Sequence, residues 1–320
     1  YEITCRDWSS DVVLFRSDST EDVISITLSA GGSGSTSVMG ALDAYIFVTD
    51  TRAYIEGDNP SSTPVTGGVV DAGGDVAITA DSDLNIVMVA GNAGGGGSTG
   101  VGASIAGLVH TDWVEASVGR NAQVSTGGDS GLSVEANSTE DIANAAIGAT
   151  GGGSTGVGGS VAVSVLYEDT VAFIADNAVI TGMDTVHNPG VSVEASDATI
   201  IASVAGAVAG GGSAGVGAGF DIGVIIKNTK AYIGDATVDV DGDVQIGADS
   251  DETIVSVSAN AGMGGSAGVT GSIATITVES ETRAFAASGA DIDAGGDVTI
   301  ARSEERRVGK ECRPRCARDH

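Results

Sequence analysis

GGGGSTGVGAS, at Gly94–Ser104, returns as GGGSTGVGGS from Gly151, GGGSAGVGAG from Gly210 and GGSAGVTGS from Gly264. A weaker copy, GGSGSTSV, begins at Gly31. Five copies of one block in 320 residues make this a repeat protein, and a repeat is read as architecture before any site is sought. Three further anchors set the register. A small residue closes each GDVxIxA-like stretch: Ser17, Ala80, Ala136, Ala195 and Ala248. A valine follows each glycine block: Val38, Val101, Val157, Val216 and Val269. An alanine sits in each T-x-A-aromatic-I-like stretch: Ala53, Ala116, Ala172, Ala231 and Ala284. The first anchor precedes the valine by 21 residues and the third anchor by 36, in all five units. The remaining connection varies: 27, 20, 23, 17 and 17 residues, the last ending at Ala301. Every insertion therefore falls in one connection, which also carries Asn59-Pro60, Pro64 and Asn188-Pro189. Such a connection belongs on the surface, while the invariant 36 residues must keep register with their neighbours.

The local pattern is β. Val76, Ile78 and Ala80 alternate with Ala77 and Thr79; Val238 and Val240 precede the Asp241-Gly242 turn, and Val244 and Ile246 follow it. With 50 glycines and 4% aromatic residues, large side chains cannot fill a thick core. Thin stacked sheets of Ala, Val, Ile, Ser and Gly fit instead. The expected fold is all-β: a β-solenoid, β-helix-like, of about five units of 53–63 residues, each dividing into about three coils of roughly 18. The alternative is a stack of long antiparallel β-hairpins, because Gly97-Ser98 lies midway between Ala80 and Ala116.

Residues 302–320, RSEERRVGKECRPRCARDH, break the pattern and resemble a translated sequencing adapter. They read as a non-native, disordered tail. Residues 1–301 read as a tandem β-repeat array from a longer chain, truncated at both ends, as in a metagenomic fragment. The tail holds seven basic and four acidic residues, so 7 Lys+Arg stand against 39 Asp+Glu in the array, a net charge of −32. That composition excludes a nucleic-acid footprint, which needs clustered cations. It disfavours an anionic membrane surface and suits an extracellular or outer-cell-surface protein, a saline habitat, or divalent cations as partners. Only Cys5 remains in the array, so no disulfide framework holds it. The uncharged stretch 200–220 has the length of a membrane span, but its glycine break and its polar equivalents in other units argue against membrane insertion.

Few residues suggest chemistry. Gly95-x-Gly97-x-x-Gly100 and Gly151-x-Gly153-x-x-Gly156 match a dinucleotide fingerprint, but they recur in tandem with no helix to follow. Close backbone approach between strands explains them better. Aspartates gather at turns: Asp71 and Asp75, then Asp239, Asp241 and Asp243, then Asp291, Asp293 and Asp297. The last six are the candidate calcium ligands, since calcium takes several hard oxygens; solvated turn acids are the plainer explanation. His110 and His187 read as isolated, without partners at ligand spacing. Arg52, Lys230 and Arg283 share one repeat position. Scattered cations make a polysaccharide-active enzyme on a β-helix a remote reading, and no catalytic or cofactor-binding residue is assigned.

GGGSAGVGAG from Gly210, NTKAYIGDATVDVDGDVQIGA at Asn228–Ala248 and DIDAGGDVTIA at Asp291–Ala301 resemble repeats of leukotoxin-family filamentous adhesins, and more loosely of filamentous-haemagglutinin-like bacterial exoproteins. The likeness covers residues 11–301. It implies a β-rich structural and adhesive stalk of a large secreted or surface-anchored bacterial protein, attaching by multivalent contact to a surface receptor or glycan. The alternative is a calcium-dependent matrix or self-assembling binding protein.

Overall fold

The computed structural model describes residues 12–58, 67–182 and 187–311, with side chains through 307. Asn59-Pro60, Pro64 and all three cysteines lie outside the described residues. The described residues form sixteen strands and no helix. The first coil is β1 (Val12–Ser33), β2 (Thr36–Ile55) and β3 (Val69–Asp71); the second is β4 (Asp75–Gly96), β5 (Thr99–Val118) and β6 (Gln123–Thr126). The third is β7 (Leu132–Gly152), β8 (Thr155–Ile174) and β9 (Val179–Gly182), and the fourth β10 (Val191–Gly211), β11 (Ala214–Ile233) and β12 (Thr237–Val240). The fifth is β13 (Val244–Gly264), β14 (Ala267–Ala286) and β15 (Asp291–Ala294), and β16 (Val298–Glu311) begins another.

Like strands of successive coils pair in parallel, giving three sheets: β1-β4-β7-β10-β13-β16, β2-β5-β8-β11-β14 and the short β3-β6-β9-β12-β15. The fold is thus a parallel β-solenoid. Each unit is one wide coil rather than three of 18 residues. The two long strands face each other across the core like the arms of a hairpin, but their hydrogen bonds run to neighbouring coils. At about 3.3 Å per residue each arm is roughly 70 Å long, and five coils rise only about 20–25 Å. The result is a broad, thin slab.

The anchors stack without slip. Ser17, Ala80, Ala136, Ala195 and Ala248 are mutual partners, as are the five valines and the five alanines. The last anchor is displaced by one: Ala301 pairs with Gly247, and Arg302 occupies the row of Ala248. Residues 302–311, expected to be a disordered tail, continue β16 along β13; residues 312–320 lie outside the described residues.

The glycine block is the tight edge of the slab. Its N–H groups point along the stack. Gly153 N donates to Gly96 O and Ser154 N to Ser98 O; in the next coil Gly212 N donates to Gly152 O and Ser213 N to Ser154 O. A Cβ on Gly265 would stand 2.5 Å from Gly212 O, and one on Gly97, Gly153 or Gly212 would press still closer on the carbonyl of the preceding coil. Glycine is required here for close approach. The opposite end, beside the short sheet, is a continuous core of Val, Ile and Ala from every coil, including Ile78, Val134, Ile174, Val193 and Ile233. Leu108, Ile142, Leu166, Ile201 and Ile225 form a second apolar cluster.

Two glycines of one block should respond oppositely to alanine. Gly153→Ala drives a methyl into Gly97 O and should cost about 1–3 kcal/mol. A Cβ on Gly151 meets nothing within 4 Å, so Gly151→Ala should leave stability unchanged or raise it by up to about 1 kcal/mol. Urea melts of the two variants decide; equal losses would refute the close-approach account.

Candidate functional site

On a strand, residues two apart share a face, so positions at even spacing from the buried alanine anchors also point inward. Four residues before Ala53, Ala116, Ala172, Ala231 and Ala284 lie Thr49, Asp112, Glu168, Lys227 and Ser280, and they stack as one row. On the opposing sheet Ser82, Ser138, Asp197 and Ser250 form a second row, and Leu84, Glu140, Thr199 and Glu252 a third. Five carboxyl groups and one ammonium are thereby held inside the slab: Asp112, Glu140, Glu168, Asp197, Glu252 and Lys227 are all buried.

Lys227 organises the middle of the group. Its Nζ lies 2.5 Å from Asp197 Oδ1, 3.3 Å from Glu168 Oε2 and 4.0 Å from Glu252 Oε1, and it donates to Thr199 Oγ1 at 2.5 Å. Thr199 Oγ1 reaches Glu140 Oε2 at 2.8 Å and Glu168 Oε2 at 3.1 Å. Arg306 approaches Glu252 from the open side, Nε to Oε2 at 3.6 Å. Ser138 Oγ lies 3.0 Å from Asp112 Oδ2 and 2.5 Å from Glu140 Oε1. One hydroxyl proton cannot serve both carboxylates, so the second contact calls for a proton on a carboxyl or another cation nearby.

Burial sets the protonation. Removal from water pushes the Glu168 carboxyl up to about 8, with the Asp197 charge adding to it. Burial, then the Glu168 charge, holds Glu140 well above the usual carboxylate range, and burial raises Asp197. Asp112 is pushed up to about 6 by burial, against hydrogen bonds from Ser82 and Ser138 that favour its charge. Burial by itself lowers the Lys227 ammonium, but Glu168, Asp197 and Glu140 override it and the group stays charged. Burial lowers His110 to about 4 and keeps it neutral.

His110 is not isolated. It faces the same interior as Asp112, two residues on, and the donor atoms of His110, Asp112 and Glu140 all lie within 4.8 Å of one another. Glu140, Glu168 and Asp197 form a second such group. The signal was the two-residue spacing, which on a strand brings side chains together. His187, in a turn, lies 4.0 Å from Asp129.

The six turn aspartates are placed elsewhere. Asp239 and Asp293 are partners on the outer side of the short sheet, and Asp291 stands beside Thr237. Asp241, Asp243 and Asp297 occupy the following turns, exposed. Asp243 Oδ1 accepts the Asp297 N–H at 2.8 Å, as Asp235 Oδ1 accepts Gly289 N–H and Asp75 Oδ1 accepts Ser130 and Gly131 N–H. These carboxylates tie one turn to the next coil. Among the described residues, the groups of three or more converging metal-type donors are interior and include none of the six. Arg52 and Arg283 lie on the outer face and pair with Asp50 and Glu281 of their own strands. In the glycine block, the N–H groups that a phosphate would require already serve the preceding coil.

Outside, a shallow groove on the β2-to-β14 sheet is lined by Thr111, Trp113, Tyr167, Asp169, Asn228 and Ile226. Trp113 and Tyr167 are about two-fifths exposed, at 42% and 44%, which leaves flat aromatic surface beside amide and carboxylate groups. Searches of family models, curated proteins and solved structures find no match to the chain. The fold and the buried row define a class, a parallel β-solenoid with a charged interior row.

Lys227→Met should cost about 3–5 kcal/mol, because it strands buried carboxylates without their cation. Adding Glu168→Gln should restore part of that loss. Denaturant melts of the single and double variants test this; a Lys227→Met chain as stable as the parent would show that the ion pair does not hold the coils.

Proposed function

We propose that this chain is a stretch of the structural and adhesive stalk of a large secreted or surface-anchored bacterial protein, attaching through multivalent contact. The observation that carries this reading is the register. Every anchor row continues through five coils without slip, so coils can be added to lengthen the body without changing the contacts between neighbours. The outer faces repeat in the same way. Leu42, Ile105, Val161, Phe220 and Ile273 form one outer row, and Phe173, Tyr232 and Phe285 stack ring on ring at 5.1 Å in another. A repeated face converts weak contacts into firm attachment when many engage at once. The Trp113 groove has the chemistry of a glycan contact, an apolar ring face with polar groups at its rim. The net charge of −29 suits a protein outside the cell. No catalytic residue belongs to this reading.

Beads displaying the chain at increasing density, passed over a glycan array, should be retained more than proportionally as density rises. Trp113→Ala should lower retention several-fold without changing the melt. Beads held no better than bare ones on every glycan would remove the adhesive half of the reading. Calcium-dependent assembly is the competing account, and melting with calcium and with chelator separates the two: a large calcium-dependent rise in melting temperature would replace the inert stalk.

A further inference from the structure

His110 and Asp112 are left over by both the stalk reading and the Lys227 network, which reaches their neighbour Glu140 only through Thr199. In the row Phe47, His110, Leu166, Ile225 and Val278, the other coils carry apolar residues, so stacking does not call for a histidine. His110 is 1% exposed, yet neither of its ring nitrogens has a hydrogen-bond partner. Burying an imidazole with both nitrogens unserved is costly. Asp112 Oδ1 is likewise buried without a partner. Lys227 pairs with Glu168, Asp197 and, more distantly, Glu252, which leaves Asp112 and Glu140 with no ion pair to it.

We propose that His110, Asp112 and Glu140 form an interior site for one divalent transition-metal ion of the zinc class, taken up as the chain folds. An imidazole with two carboxylates is a nitrogen–oxygen donor set that zinc accepts, whereas calcium prefers oxygen alone. A tetrahedral ion with bonds of about 2.1 Å spans donors roughly 3.4 Å apart. The donor atoms, within 4.8 Å of one another, would close to that spacing as the ion binds. The ion satisfies a ring nitrogen and Asp112 Oδ1 and supplies the missing positive charge. Glu140 supplies the third protein ligand. The surrounding hydroxyls already act as an outer shell: Ser138 contacts both carboxyl groups and Thr199 contacts Glu140. His110 and Asp112 belong to β5 and Glu140 to β7, so the ion staples the second coil to the third across both sheets. Because the site is enclosed, occupancy is set during folding.

The test uses the whole chain, unfolded in chelator and refolded with or without zinc or cobalt, then desalted. Elemental analysis should find about one equivalent of zinc per chain, and the cobalt form should show visible d–d absorption. Zinc should raise the melting temperature. His110→Leu, which takes the residue of the next coil, should keep the strand signature in circular dichroism while losing the metal, the cobalt bands and the zinc-dependent shift. Ser138→Ala should retain the site with affinity weakened about 10–100-fold. A parent chain that keeps no metal, or a His110→Leu chain that keeps as much as the parent, overturns the proposal. So does a zinc-dependent shift that is equal in both.

Discussion

At Gly97, Gly153, Gly212 and Gly265 successive coils bring a carbonyl oxygen so close to the next backbone that no Cβ fits between them. The turn N–H groups spend themselves on the coil before, as when Ser154 donates to Ser98 O and Ser213 to Ser154 O. This fixes where each coil begins relative to the last. Some twenty residues of parallel ladder then extend from that point on either arm, and a slip of one residue would turn every inward side chain outward. The exact 36-residue module is the covalent expression of that constraint. The third side carries only short strands and absorbs the insertions, because it closes the coil without setting its register.

The repeat, its register and its β character were legible because glycine and small residues recur at positions where only they fit. The subdivision into three coils was not, since it took coil length from smaller solenoids. From Ala80 to Ala90 the alternation has no Gly or Pro to break it, and β4 runs on through Gly91-Asn92 as one long strand. Ala301 has the size of an anchor residue but stands one position before the anchor row. The valines of GDVTIA and GDVQIGA align to put Arg302 in that row. Antiparallel pairing was a fair rival on spacing alone, because the arms do run in opposite directions; the difference lies in where the hydrogen bonds go.

Residue type alone does not disclose the interior row, because Lys, Glu and Asp stand in solvent at most positions of folded chains. Parity was available all along. Asp112, Glu168 and Lys227 each precede a buried alanine by four residues, which on a strand means the same inward face. His110 and Asp112 share that face for the same reason. Clustering in sequence is a weaker guide at the turns, where Asp243, like Asp235 and Asp75, accepts a backbone N–H of the next coil.

A buried ion pair seldom adds net stability over a well-packed apolar core, since desolvation offsets most of the attraction. Its value here follows from the sameness of everything else. The glycine turns and the Val and Ala anchors are nearly identical in every coil, so they would accept neighbours in the wrong order almost as readily as in the right one. The row from Thr49 through Asp112, Glu168 and Lys227 to Ser280 is different at every step. Lys227 needs Glu168 in the coil before it, Asp197 in its own and Glu252 in the coil after. Set beside the first coil, it would meet Thr49 in that row in place of a carboxylate. The row therefore distinguishes the correct stack by making the wrong ones expensive, which is how a chain of near-identical repeats acquires a single order.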